Sequence, residues 1–184
     1  MRFVMKLATS SILVLALRTA ACAREPVALK TAAPELKGIE NWINSKPLTL
    51  KELRGKVVVL HFWTFGCINC VHNYPWYAGW HKDFSEKGLV IVGVHTPETD
   101  GEKNIERVRQ KVKDHKIKYA VAEDSAGKTW KAWGNQFWPS VYLIDKKGYV
   151  RYRWDGELNW KEVQGEKQMR RRIEQLLAER ESMP

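Results

Sequence analysis

The chain has 184 residues, 44% of them hydrophobic, with nine tryptophans, three cysteines and a formal charge of +10. This length is that of one domain, and the apolar content supports a core of its own, which excludes a miniprotein stapled by disulfides. The basic residues are spread along the chain, so the charge reads as a solvated cationic surface and, given the export pattern below, not as a nucleic-acid site.

The first 23 residues do not read as part of a fold. Arg2 and Lys6 form a basic n-region, Leu7 to Leu17 a mostly apolar h-region, and Ala20, Ala21 and Ala23 follow as small residues. This is the pattern of a secretory signal peptide, too short for a comfortable membrane span. Two fates are open for it. Cleavage after Ala23 fits the A-x-A rule through Ala21-Cys22-Ala23. Alternatively, Cys22 is lipidated and anchors a lipoprotein, although Thr19 stands where a large aliphatic residue is usual. Either fate places the protein outside the cytoplasm, in a periplasm or on the outer face of the membrane. Without Arg2, Lys6 and Arg18 the chain keeps 28 basic against 21 acidic residues, about +7.

Residues 24–37 (REPVALKTAAPELK) are rich in Ala, Pro and Lys without any period and read as a linker. A single domain is expected over 38–184. It opens with a short strand at Asn41 to Asn44, a turn at Ser45-Lys46-Pro47, and a lead-in carrying Leu48, Leu50 and Leu53.

The apolar, β-branched run that starts at Val57 predicts a buried strand over 57–63. After the turn at Thr64-Phe65-Gly66, apolar residues return at Cys70, Val71, Tyr74, Ala78, His81 and Phe84, which predicts a helix over 69–87. Cys67 therefore falls on the first turn of a helix at the carboxyl end of a strand. Free backbone N–H groups and the positive end of the helix dipole favour a thiolate there, and the thiolate is the form that attacks disulfides. Cys70, three residues on and nearly on the same face, can resolve a mixed disulfide formed at Cys67. This pattern points to thiol–disulfide exchange. A structural cross-link this short stabilises little, no second ligand pair completes a zinc tetrahedron, and haem attachment needs a histidine where Val71 stands.

A strand at 89–95 (LVIVGVH) completes a βαβ unit with a right-handed crossover, and its carboxyl end brings His95, Thr96 and Glu98 toward the dithiol. Ile105, Val108 and Val112 stripe a helix near 101–115, followed by a strand at 118–122 and a short helix at 128–134 with Trp130 and Trp133. Strands at 141–145 and 149–154 flank Lys146-Lys147-Gly148, a hairpin signal. The last helix, about 162–180, turns Met169, Ile173, Leu176 and Leu177 toward the core and leaves Arg170-Arg171-Arg172 in solvent.

The segment Phe62-Trp63-Thr64-Phe65-Gly66-Cys67-Ile68-Asn69-Cys70 resembles the active-site segment of the thioredoxin superfamily, in particular its extracytoplasmic TlpA/ResA-like branch and, within that, the soluble domain of DipZ-type proteins. Pro75, the block Trp138-Pro139-Ser140-Val141-Tyr142-Leu143-Ile144-Asp145, His95-Thr96-Pro97-Glu98, and Arg151-Tyr152 with Gly156-Glu157 extend the likeness over roughly 38–178. The resemblance implies a thioredoxin-like α/β fold: a central mixed sheet flanked by helices, with an N-terminal hairpin and a central helix–strand insertion. It implies Cys67 and Cys70 as the catalytic pair, no metal or organic cofactor, and protein dithiols or disulfides as partners. A membrane electron donor of the CcdA type and clients such as apocytochrome c belong to the same expectation.

The resemblance also makes Pro139 a cis proline facing the dithiol, with Trp138 and Phe65 shaping the partner surface; for Trp138, simple packing is the other reading. His61 stands where thioredoxins carry a buried acid. It is either a proton acceptor for Cys70 or a core histidine. Glu98 is either the alternative acceptor or an exposed loop acid. Two other classes stay open besides the exchange enzyme, a reductase in the first instance. One is a peroxiredoxin-like peroxidase, although peroxiredoxins use a Thr-x-x-Cys context whereas Phe65-Gly66 precedes Cys67 and its partner is a CxxC. The other is a non-catalytic binding module.

Overall fold

A computed structural model describes residues 25–180. The expected signal peptide and Cys22 lie outside the described residues. Among the described residues, seven strands form one sheet in the order β1-β7-β6-β3-β4-β5-β2. The all-apolar run becomes β3, Val57–Trp63, buried at every residue in the middle of the sheet. It runs parallel to β4, Leu89–His95, and β4 runs parallel to β5, Ala120–Glu123. On the other side of β3 lies β6, Ser140–Ile144, antiparallel, then β7, Tyr149–Asp155. The sheet is therefore mixed, as expected.

Alternate residues of β3 face opposite layers. Val57, Val59 and Trp63 pack with Tyr74, Tyr77 and Trp80 of α1 (Ile68–Phe84), Val108 and Val112 of α2 (Ile105–Asp114), and Met169, Ile173 and Leu176 of α4 (Gly165–Ala178). Val58, Leu60 and Phe62 pack on the other face under Leu36, Ile39, Leu48, Leu50 and Leu53 of the lead-in and Trp130 of α3, Lys128–Ala132. Helices flank both faces, and among the described residues one short helix serves the second.

Three expectations are corrected. Residues 24–37 are not merely a linker: β1, Val27–Ala32, pairs antiparallel with β7. It is almost wholly exposed, so it carries no apolar alternation by which to announce itself. Second, among the described residues no N-terminal hairpin forms, because β2, Asn41–Ile43, pairs with β5 at the opposite edge of the sheet. The 33–53 segment crosses the lower face between them, and burying its leucines there separates the two strands. Third, the inner face of α1 is Cys70, Asn73, Tyr74, Tyr77, Trp80 and Phe84, while Ala78 is exposed. The aromatic and amide side chains are the larger groups, and they take the core.

Candidate functional site

The turn from β3 to α1 builds the site. Cys67 is the N-cap of α1 in extended conformation, and its Sγ accepts the backbone N–H of Cys70 at 3.2 Å. A sulfur that receives a helix N-terminal donor is one whose negative charge is stabilised. Cys67 and Cys70 are joined by a disulfide with Cα atoms 5.3 Å apart. Cys67 is partly exposed and Cys70 fully buried, so an incoming thiol reaches the sulfur of Cys67 and not its partner.

Topology brings the proline loop to the same end of the sheet. β6 runs antiparallel to β3 with Ser140 opposite Phe62, so Trp138-Pro139 lies beside the chain leaving β3 for Cys67. The Trp138–Pro139 peptide is cis. Trp138 stacks on Trp130 at 4.0 Å and donates from Nε1 to the Thr96 carbonyl at 3.1 Å, tying this loop to the end of β4. Pro139 is buried and its carbonyl accepts the N–H of Gly156 at 2.7 Å. Buried Asn73 of α1 holds that neighbouring loop through Gly156 and Leu158. Around the disulfide, Ile68 and Phe137 are exposed, and Phe65 is half-buried on His95, ring centroids 5.6 Å apart. These groups leave an apolar rim open beside Cys67.

His61 is fully buried, stacked on Tyr77 at 4.1 Å and edge-on to Tyr119 at 5.4 Å. Burial lowers its pKa to about 3, and neither ring nitrogen has a protein hydrogen-bond partner. Those are the contacts of a core histidine, and a base of that pKa is a weak acceptor for a thiol proton. His95 is buried as well, pressed edge-on against Trp63, with its pKa lowered to about 4 chiefly by burial.

Glu98 is exposed in the turn after β4. The buried acid of this region is Glu102, which the sequence reading did not single out. Its Oε2 accepts the N–H groups of Glu98 and Thr99 at 2.7 and 3.1 Å, and its Oε1 accepts that of Gly66 at 3.0 Å. Burial raises the pKa of this carboxyl, but those donors and the Thr64 hydroxyl outweigh it and leave the group below its ordinary value. Thr99-Asp100-Gly101-Glu102 forms a capping box on a short turn of 3-10 helix, and Thr-x-x-Glu is the one local signal that pointed to it.

A peroxidase is not set apart by its Thr-x-x-Cys context. Thr64 stands three residues before Cys67, so the Thr-x-x-Cys spacing is met and does not separate the chemistries. Geometry is more telling: Thr64 is fully buried, with its hydroxyl 3.4 Å from His95 Nε2. Among the described residues no group of three or more His, Cys, Asp or Glu is placed to hold a metal ion.

A central strand that delivers a vicinal dithiol to a helix start, beside a cis-proline loop, places this chain in the class of thioredoxin-like thiol–disulfide oxidoreductases. Comparison with solved structures agrees. A thioredoxin-like superfamily protein superposes with a TM-score of 0.72 at 30% identity, covering 82% of this chain and 98% of that one. A thiol-disulfide isomerase from Corynebacterium glutamicum gives 0.67 at 26% identity, covering 80% and 98%. Among curated proteins, the chain is 44% identical to DipZ of Mycobacterium bovis over 128 residues, which are 68% of this chain but only 18% of DipZ. The thiol-disulfide oxidoreductase YkuV of Bacillus subtilis is 27% identical over 83% of this chain and 99% of its own length. By the family model that matches residues 19–153, the chain belongs to the AhpC/TSA family.

Proposed function

We propose that this chain reduces disulfides of exported proteins outside the cytoplasm, with Cys67 as the attacking and Cys70 as the resolving thiol. The thiolate of Cys67 attacks a client disulfide, forming a mixed disulfide and releasing one client thiolate. The Cys70 thiolate then attacks Cys67 Sγ, releasing the second client thiol and closing the Cys67–Cys70 disulfide. One observation carries this order: Cys67 is accessible at a helix N-terminus while Cys70 is buried beneath it. Phe65 and Trp138, backed by the buried cis Pro139, form the surface on which a client segment lies. No cofactor is needed for the exchange itself, so electrons come from another protein dithiol. A CcdA-type membrane carrier fits that need, and apocytochrome c fits as a client by the resemblance to the TlpA/ResA-like branch. Export rests on the pattern of residues 1–23, with Cys22 as the anchor if that segment is a lipoprotein signal. Within the described residues, no helix is long and apolar enough to cross a membrane.

The test is the equilibrium reduction potential of Cys67–Cys70 against a dithiothreitol or glutathione series, in the full chain carrying Cys22→Ser. Thioredoxin lies near about −270 mV and strong oxidants near about −120 mV, a separation of roughly 7 kcal/mol for two electrons. A value at the low end supports the reductase. A value at the high end makes the chain an oxidant or isomerase and removes the cytochrome-maturation analogy.

A further inference from the structure

Glu102 joins two loops that the sequence keeps far apart. One carboxylate oxygen caps its own turn through Glu98 and Thr99, and the other reaches across to Gly66, 36 residues away in sequence and next to Cys67. Capping its own turn would need only the first oxygen. A side chain at position 66 would overlap Oε1, so the close approach requires glycine there although its φ is ordinary. The same turn is held from below: the Thr64 hydroxyl lies 3.4 Å from His95 Nε2, and the Cys67 N–H bonds to the Thr64 carbonyl at 3.3 Å. Gly66 is thus fixed by Glu102, within a turn that the Cys67–Thr64 hydrogen bond closes.

We infer that Glu102 is a positioning residue for the exchange reaction, one that clamps the Thr64–Gly66 turn and places a fixed negative charge beside Cys67. The inference rests on Cys67 being the attacking thiol, as proposed above. A like charge disfavours the thiolate, which stabilises the disulfide over the reduced form and makes the dithiol the stronger reductant. The other charged or titratable groups facing this turn are Arg107, 5.2 Å from the Phe65 ring, exposed Glu98, and neutral His95. Arg107 is tied to the Gly101 carbonyl at 2.8 Å, and its cation partly offsets Glu102 at the rim.

The experiment follows the pH dependence of Cys67 alkylation by iodoacetamide in the reduced chain, and its redox equilibrium with glutathione, for wild type and Glu102→Gln. Glutamine keeps the shape and removes the charge. The alkylation midpoint should fall by roughly half to one pH unit, and the equilibrium should move roughly three- to tenfold toward the reduced form, a tenfold change corresponding to about 30 mV. Glu102→Asp, which keeps the charge, should stay nearer to wild type in midpoint. If Glu102→Gln does not fold, Glu102→Asn is compared with Glu102→Asp, which has the same shape and keeps the charge; the midpoint should move the same way. An unchanged or raised midpoint in the folded variant overturns the inference. Wild type exchanging normally with an unshifted variant would remove only Glu102, whereas a wild type without exchange at Cys67 would remove the functional reading itself.

Discussion

Acidification should destabilise this protein well above the range in which carboxylates titrate. In the folded chain, burial holds His61 at about 3 and His95 at about 4, against 6.5 for an ordinary histidine. A lowered histidine pKa means that the unfolded chain binds more protons between those values, so stability is intact above about pH 6.5 and falls as the pH drops toward 4. Between about pH 7.5 and about pH 5 each imidazole contributes a loss of about 2 kcal/mol, roughly 4 kcal/mol for the pair. Asp124 works the other way, since burial raises its pKa and its contribution grows on acidification. Glu102, held below 4.5, adds its loss only further down. Urea unfolding of the oxidised chain, followed by tryptophan fluorescence in that pH range at constant m, measures the sum. His61→Leu should remove about half of the slope whatever it does to stability at neutral pH. It should also leave the pH profile of disulfide reduction where it was, because a group of pKa about 3 does not titrate there. A loss below about 1 kcal/mol, or a full slope in His61→Leu, refutes the burial account. A shifted reduction profile would instead restore His61 as a proton relay.

Cys67→Ser should abolish exchange, while Cys70→Ser should accumulate a mixed disulfide with a client, visible by mass spectrometry under non-reducing conditions. Trp138→Ala should lower kcat/KM toward protein disulfides by roughly tenfold, about 1.4 kcal/mol, and leave turnover of a small disulfide such as oxidised glutathione within about twofold. Asn73→Ala should cost about 1–3 kcal/mol in urea unfolding, because it strips the buried Leu158 N–H and the Gly156 carbonyl of a partner. Hydrogen peroxide consumption with a dithiol donor should stay at background. Turnover at the rate of disulfide exchange would mean that Thr64 leaves His95 to serve Cys67 as in a peroxidase.

The central pieces of the fold are written locally. An unbroken apolar run can only be a strand covered on both faces, as β3 is, and apolar residues returning at helical spacing after Gly66 start a helix where they must. The dithiol and its place at the start of the helix follow from that junction alone. What the sequence could not decide depends on partners distant along the chain. β1 and β2 sit at opposite edges, held largely by backbone hydrogen bonds, which leave little trace in side-chain pattern. α1 turns Asn73, Tyr77 and Trp80 inward because they meet the 156–158 loop, His61 and Glu166, all remote in sequence. Glu98 and Glu102 look alike as acids after a strand. Only folding buries one of them and sets it against Gly66, because the donors that stabilise its charge come from two loops that the sheet brings together.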